Sequence, residues 1–245
     1  MKPSPRLRPI LLAACAALAA TAAANAGNQD IVAAARSQVS VTVHYDPADR
    51  ALKYPGGDVP ADRGVCTDVI VRALRAARAI DLQEKVRDDM KAHWDAYPHP
   101  WRWRLSKPDP NIDHRRVPNL MTYFKRSGYA LPLTRTAADY LPGDVVAWDL
   151  GRGILHIGIV SDRVSVTGTP LVVHNIGAGA REEDILFRFT IIGRYRLPPV
   201  RPGAGVDGLS PHALASNAPI HGTLRPQTWS PSPALPKNPS PMAKR

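Results

Sequence analysis

Cysteine is nearly absent from this sequence, which holds only Cys15 and Cys66 in 245 residues. Also missing is an apolar run fit to span a membrane: Ile10 to about Ala24 is short and alanine-rich. Lys2, Arg6 and Arg8 precede that run and Ala24-Asn25-Ala26 closes it, the pattern of a secretory signal over residues 1–26 cleaved near Ala26. Leu12-Ala13-Ala14-Cys15 also resembles a lipoprotein box, in which Cys15 would be acylated as the first mature residue. The first route delivers a periplasmic chain, the second a lipid-anchored one, and neither leaves an integral span. Both leave Cys66 as the single thiol, which excludes the internal disulfide that exported domains commonly use. An unpaired thiol in an oxidising compartment is at risk of oxidation, so Cys66 is either an inert small hydrophobe or a working group.

Acidic and large apolar residues are missing from the end of the chain. Beyond Leu197 there is one acid, Asp207, against five cations, and eleven of the 25 prolines lie there. Residues 198–245 therefore read as a Pro-rich, basic, disordered tail. With three cations in 1–26 and a net four beyond Leu197 set aside, the formal charge of +11 falls to +4 for 27–196. So small a charge argues against a nucleic-acid clamp. No internal repeat is found, and 27–197 is long enough for one domain with a hydrophobic core.

The core region reads as helices followed by strands. Asn28 to Gln38 suits a short helix, and Val39 to Tyr45 alternates weakly as a strand would. Tyr54 to Gly64 is rich in turn residues. Val65, Val69, Ala73 and Ala76 recur at helical spacing, placing Cys66 in the first turn of a helix. Leu82 to Tyr97 is a second amphipathic stretch, stopped by Pro98. Val117 to Ser127 is a third, closed by Gly128. Strands follow over Asp144 to Leu150, Leu155 to Ser161, Leu171 to His174 and Phe187 to Leu197. This order predicts an α+β fold with an antiparallel meander.

A thiol at a helix start feels the positive end of the helix dipole and its free N–H groups, which favour thiolate. Thiolate attack on an amide needs a basic partner, a group to orient it and donors for the oxyanion. On a strand from Leu155, His156 and Gly158 share one face while Ile157 and Ile159 share the other. A hairpin over Val164 to Pro170 would bring His174 beside His156. Asn175 is an alternative orienting group, but alternation puts it on the face opposite His174, and His174 is preferred. His114 is a cleft candidate, with Arg115 or Arg116 able to grip a carboxylate. Trp101-Arg102-Trp103-Arg104 could form a cleft wall. His44, His93 and His99 show no partner pattern.

A cysteine opening a helix, Pro-Gly-Asp leading a strand, then His156-Ile-Gly-Ile-Val160 and a strand ending in His174 resemble the papain-like NlpC/P60 superfamily of cell-wall cysteine peptidases and amidases. Four longer strings resemble the bacterial family named domain of unknown function 1287: Tyr54 to Asp68, Asn111 to Leu120, Pro142 to Leu150, and Val173-His-Asn-Ile-Gly-Ala-Gly179. This likeness spans about Ala34 to Leu197. The superfamily resemblance implies a papain-like fold, with the cysteine helix packed on a sheet that carries the histidines. It further implies Cys66 as nucleophile, His156 as base and later acid, His174 as its orienting partner and Tyr54 at the substrate and oxyanion site. The implied activity is hydrolysis of an amide bond in peptidoglycan stem peptides, without metal or other cofactor. The sequence departs from the superfamily at Val65, where Asp is usual, and in the length of chain between Cys66 and Pro142. Two other readings use the same residues: a zinc hydrolase with Cys66, His156 and His174 as ligands, and a wall-binding module without catalysis.

Overall fold

The computed structural model describes residues 28–99 and 106–199. The expected export signal, Cys15, Trp101-Arg102-Trp103-Arg104 and all of the tail beyond its first two residues lie outside them. Helix α1 (28–36) is followed by a two-residue parallel pair, β1 (His44–Tyr45) and β2 (Arg63–Gly64). Next come α2 (Cys66–Arg78), α3 (Leu82–Ala92) and α4 (Val117–Arg126). The strands are β3 (Val145–Asp149), β4 (Leu155–Val164), β5 (Pro170–His174), β6 (Arg181–Glu183) and β7 (Thr190–Tyr195). The layout is α+β with an antiparallel sheet.

Each helix has a local reason to begin and end where it does. Helix α2 buries Val69, Ile70, Ala73 and Leu74 along one side and ends with Arg75 and Arg78 in its last turn. Its cap, Val65, has no side-chain acceptor, so Asp68 reaches back to take the Val65 N–H at 2.6 Å. Asp81 caps α3 through the Gln83 N–H. Helix α4 has Pro118 in its first turn, where no N–H is needed. It ends in a Schellman motif, with the Gly128 N–H on Lys125 O (3.1 Å), the Tyr129 N–H on Phe124 O (3.0 Å), and Gly128 at φ +77°.

The larger sheet has the order β6-β5-β4-β3-β7 and is antiparallel throughout. The expected meander holds from β3 to β6. The last strand then departs from it, crossing back so that Tyr195 of β7 pairs with Val145 of β3. Strand β6 was not visible as a strand in the sequence, because Arg181-Glu182-Glu183 has no apolar alternation; it forms by pairing with β5. The 39–45 segment contributes only His44–Tyr45, and the turn-rich 54–64 segment supplies β2.

Both faces of this sheet are covered. Val145, Ala147, Ile157, Ile159 and Val173 face α2 and α4, joining Ile70, Leu74 and Phe124 in one apolar cluster. Val146, Trp148, Val160 and Val172 face the other way, against Tyr140 and Leu186. Trp148 is fully buried, and its indole N–H is satisfied by Leu186 O at 2.9 Å. The cysteine helix thus packs on one face, and its N-terminus reaches the start of β4.

Candidate active site

Strand β4 opens at Leu155, and Trp148 of β3 stands opposite His156. Alternation turns His156 and Gly158 to the Trp148 face, where the two rings stack at 5.8 Å. Gly158 is there because β5 lies close. A Cβ at that position would stand 2.6 Å from Val172 Cγ1 and 3.1 Å from the Cβ of His174. Gly158→Ala is therefore expected to part β4 from β5 and to cost about 1–3 kcal/mol of stability by overpacking, read from urea unfolding. Unchanged stability would count against this packing account.

The close approach brings the histidines together as the hairpin argument expected. His156 Nε2 is 3.0 Å from His174 Nδ1, and His174 Nε2 is 3.0 Å from Glu183 Oε2. The carboxylate of Glu183 can only accept, so it fixes the proton of His174 on Nε2. His174 Nδ1 is then an acceptor, and His156 must donate from Nε2. That leaves Nδ1 of His156 with its lone pair, the tautomer of a general base. Glu183 completes a chain of three, and its only trace in the sequence is its place on a charged edge segment.

Burial holds these rings neutral. It pushes His156 down to about 3, with the neighbouring His174 adding to the effect. It also lowers His174, against the opposing pull of Glu183. His114 is likewise buried and pushed down to about 4, with the Arg115 charge contributing, and its Nδ1 has no hydrogen-bond partner. Histidines of the unfolded chain titrate near pH 6.5. Below that value the unfolded chain binds protons that the folded one refuses. Stability should therefore fall as pH drops from about 6.5 towards 4, by up to about 1.4 kcal/mol per pH unit for each histidine. Urea midpoints at pH 7, 6 and 5 measure this, and His114→Phe should flatten the slope. A midpoint that does not move between pH 7 and 5 would refute it.

Cys66 is the first residue of α2, and it is 5 % exposed. Pairing between β4 and β5 stops at Ile159 and Val173, short of Ile157. The sulfur lies against the backbone N–H groups of Ile157, Thr67 and Cys66 itself, each of which favours thiolate. Burial outweighs them, with the charge of Asp68 adding to its effect, and pushes the thiol up to about 12. The lowered pKa expected from the helix start is thus reversed, because at this site desolvation exceeds the helix dipole. No hydrogen bond joins Cys66 to His156. The sulfur meets the backbone next to that residue, while the imidazole turns to the sheet's other face.

Cys66 does line a cavity of about 260 Å³, walled by Tyr45, Val65, Ile112, Arg116, Pro118 and Leu155 among others. The tyrosine here is Tyr45, not Tyr54. Tyr54 lies beneath the guanidinium of Arg87 at 4.5 Å and is no part of this wall. Negative charge on Cys66 or Asp68 would raise the Tyr45 phenol further than burial already does, a mark of how near they are. Nothing in the spacing of Tyr45 singled it out.

Arg115 is spent inside the protein. Its Nε and Nη2 each donate to a different oxygen of Asp68 at 3.0 Å, and the rest of the guanidinium holds Ala48 O and Asp46 O. Arg115 itself lines the cavity, but its donors are committed to these partners and grip no substrate carboxylate. Arg116 lines the cavity as well, with Nη1 on Asp113 Oδ1 at 2.9 Å. His114 is not a wall residue. Asn175 lies on the Cys66 side of the strand end, as alternation required. Its amide donates to Gly64 O at 3.0 Å, tying the strand end to the segment just before the cysteine. Asn175 thereby positions Val65 and Cys66 rather than orienting His156.

Cys66, His156 and His174 do not converge on a common point. Among the described residues no group of three or more His, Cys, Asp and Glu is disposed to hold a metal ion, so the zinc reading lacks its ligand set.

A family model described as a domain of unknown function, DUF1287, matches residues 32–197, a span that includes every residue of this site. The chain belongs to the DUF1287 family. The uncharacterized protein YijF of Escherichia coli strain K12 is 52 % identical to this DUF1287 chain over 169 residues, covering 69 % of this chain and 81 % of its own length. No solved structure matches. Membership in DUF1287 thus bears out the longer sequence strings, whereas neither comparison supports the wider likeness to NlpC/P60 enzymes.

Proposed function

We propose that this DUF1287 protein is an exported cysteine hydrolase of papain-like, NlpC/P60 type that cleaves an amide bond, in the stem peptides of peptidoglycan. One observation carries the reading: Cys66 walls a cavity at the N-terminus of α2 and its sulfur touches the start of β4, where His156 stands with its tautomer fixed by His174 and Glu183. Both groups are neutral at rest, so the thiol surrenders its proton only in the substrate complex, to Nδ1 of His156. The thiolate attacks the carbonyl carbon, and its oxygen develops charge beside the Cys66 N–H and the Tyr45 hydroxyl. The imidazolium gives its proton to the leaving amine. Water, deprotonated by His156, then attacks the thioester, releasing the acid and the thiol. No resident cofactor enters these steps. The His156 ring faces away from Cys66 across the sheet, so the mechanism further requires substrate binding to turn the start of β4 and bring Nδ1 to the sulfur.

The open pair and the neutral thiol also favour a second reading, a wall-binding module on the same scaffold. Incubating the full chain with bacterial peptidoglycan and identifying fragments by mass spectrometry separates the two. The hydrolase reading expects new amine and carboxylate ends in the stem peptides. Binding with no released fragment from any wall would overturn it in favour of the module.

A further inference from the structure

The Cys66 cavity has a neighbour. Pro118 and Leu155 line it and also line a second cavity of about 540 Å³, bounded by α4, the turn at Trp94–Ala96 and strand β7. Met121 of α4 and Ile192 of β7 stand half-buried along this second space, and Tyr97 and Tyr195 close its base. The Tyr97 hydroxyl is occupied by Asp89 at 2.7 Å, so that ring presents an apolar surface. Among the described residues, the one charged residue on this wall is Lys125, exposed at the rim.

Sites that hold a small molecule commonly enclose about 300–1,000 Å³. The first cavity alone falls short of that range, and the second lies within it. A thiol at one end of a continuous groove also leaves the other end with no chemistry of its own. Its use is to bind the part of the substrate that does not react, and such remote contacts hold the reacting bond in place.

We infer that the two cavities form one groove and that the second receives the substrate chain on one side of the scissile bond: an extended segment with an aliphatic stretch over Met121 and Ile192 and an anionic group at Lys125. This rests on the hydrolase reading and adds to it a demand for substrate length and charge.

The test fills the second cavity and leaves the first alone. Met121→Trp should lower kcat/KM on full-length disaccharide-peptides from peptidoglycan about tenfold, chiefly through KM. On the same peptides trimmed to two residues the loss should stay below about twofold. Equal losses on both, or none on either, would overturn the inference. Thr122→Trp serves as a second filling variant, with thermal melting showing that each is folded. Lys125→Glu should weaken carboxylate-ended fragments and spare amidated ones. Calorimetric titration of Cys66→Ala with the full-length fragments keeps the groove separate from the chemistry. Binding to Cys66→Ala that Met121→Trp weakens, with a wild-type chain that cleaves nothing, sustains the groove and sinks the hydrolase; no binding at all sinks the groove.

Discussion

Cys66→Ala should abolish the release of peptidoglycan fragments, a fall of about 10³–10⁶-fold for a lost nucleophile, while the protein stays folded. His156→Ala should fall nearly as far, because the two act as a unit and their losses do not add. The measurement is fragment release followed by mass spectrometry, and release that persists in either variant would end the mechanism. The pH profile gives a sharper check. A preformed thiolate–imidazolium pair gives a bell in kcat/KM, whose limbs report the free enzyme's own ionisations. Here the thiol is pushed up to about 12 and His156 down to about 3. The free protein therefore crosses neither between pH 5 and 9, and the profile should be flat there. A bell centred near neutrality would show that the charged pair exists at rest, contrary to the structure.

The second large effect concerns stability. Asp68→Asn should destabilise the fold by about 3–5 kcal/mol, the usual cost of stranding one partner of a buried ion pair. The side chains of Arg115 and Asp68 are 1 % and 3 % exposed, so neither charge has solvent to fall back on. The same carboxylate takes the Val65 N–H, so the one oxygen that asparagine keeps would have to serve both the guanidinium and the start of α2. Urea unfolding measures the loss, and the double variant Asp68→Leu, Arg115→Leu should recover part of it, since no charge is then left unpaired. A single variant as stable as the wild type would show that the guanidinium finds another partner. The cavity should loosen with the pair, because Arg115 also holds Asp46 O and Ala48 O beside Tyr45, and its own carbonyl accepts from the Thr67 hydroxyl.

Periodicity made the helices at Cys66, Leu82 and Val117 legible, because each buries a continuous apolar stripe. Alternation likewise revealed the strands from Asp144 to His174 and the side of β4 that carries His156. It did not reveal Glu183, since a short charged edge strand buries too little to leave a pattern. The return of β7 beside β3 was hidden as well, because strand order depends on which edge remains open and not on any local signal. At the site, the pairing of His156 with His174 could be read from a hairpin of two strands. The partner of Arg115 could not, because Asp68 and Arg115 meet only once α2 and the 113–115 turn are packed. The thiol shows the same limit. Its place at a helix start was written in the sequence, whereas the burial that decides its protonation is a property of the whole fold.

The crossing of β7 bears on the order in which the protein is made. Val145 to Asp149 form an apolar strand whose outer edge stays vacant until Thr190–Tyr195 arrive, and the 129–131 segment then pairs along the far side of β7. Before that, a growing chain presents an unpaired ladder flanked by Val146 and Trp148, the kind of edge that recruits a second copy. Sheet assembly is therefore a race between the arrival of the last strand and self-association, and a chain ending before Thr190 would lose it.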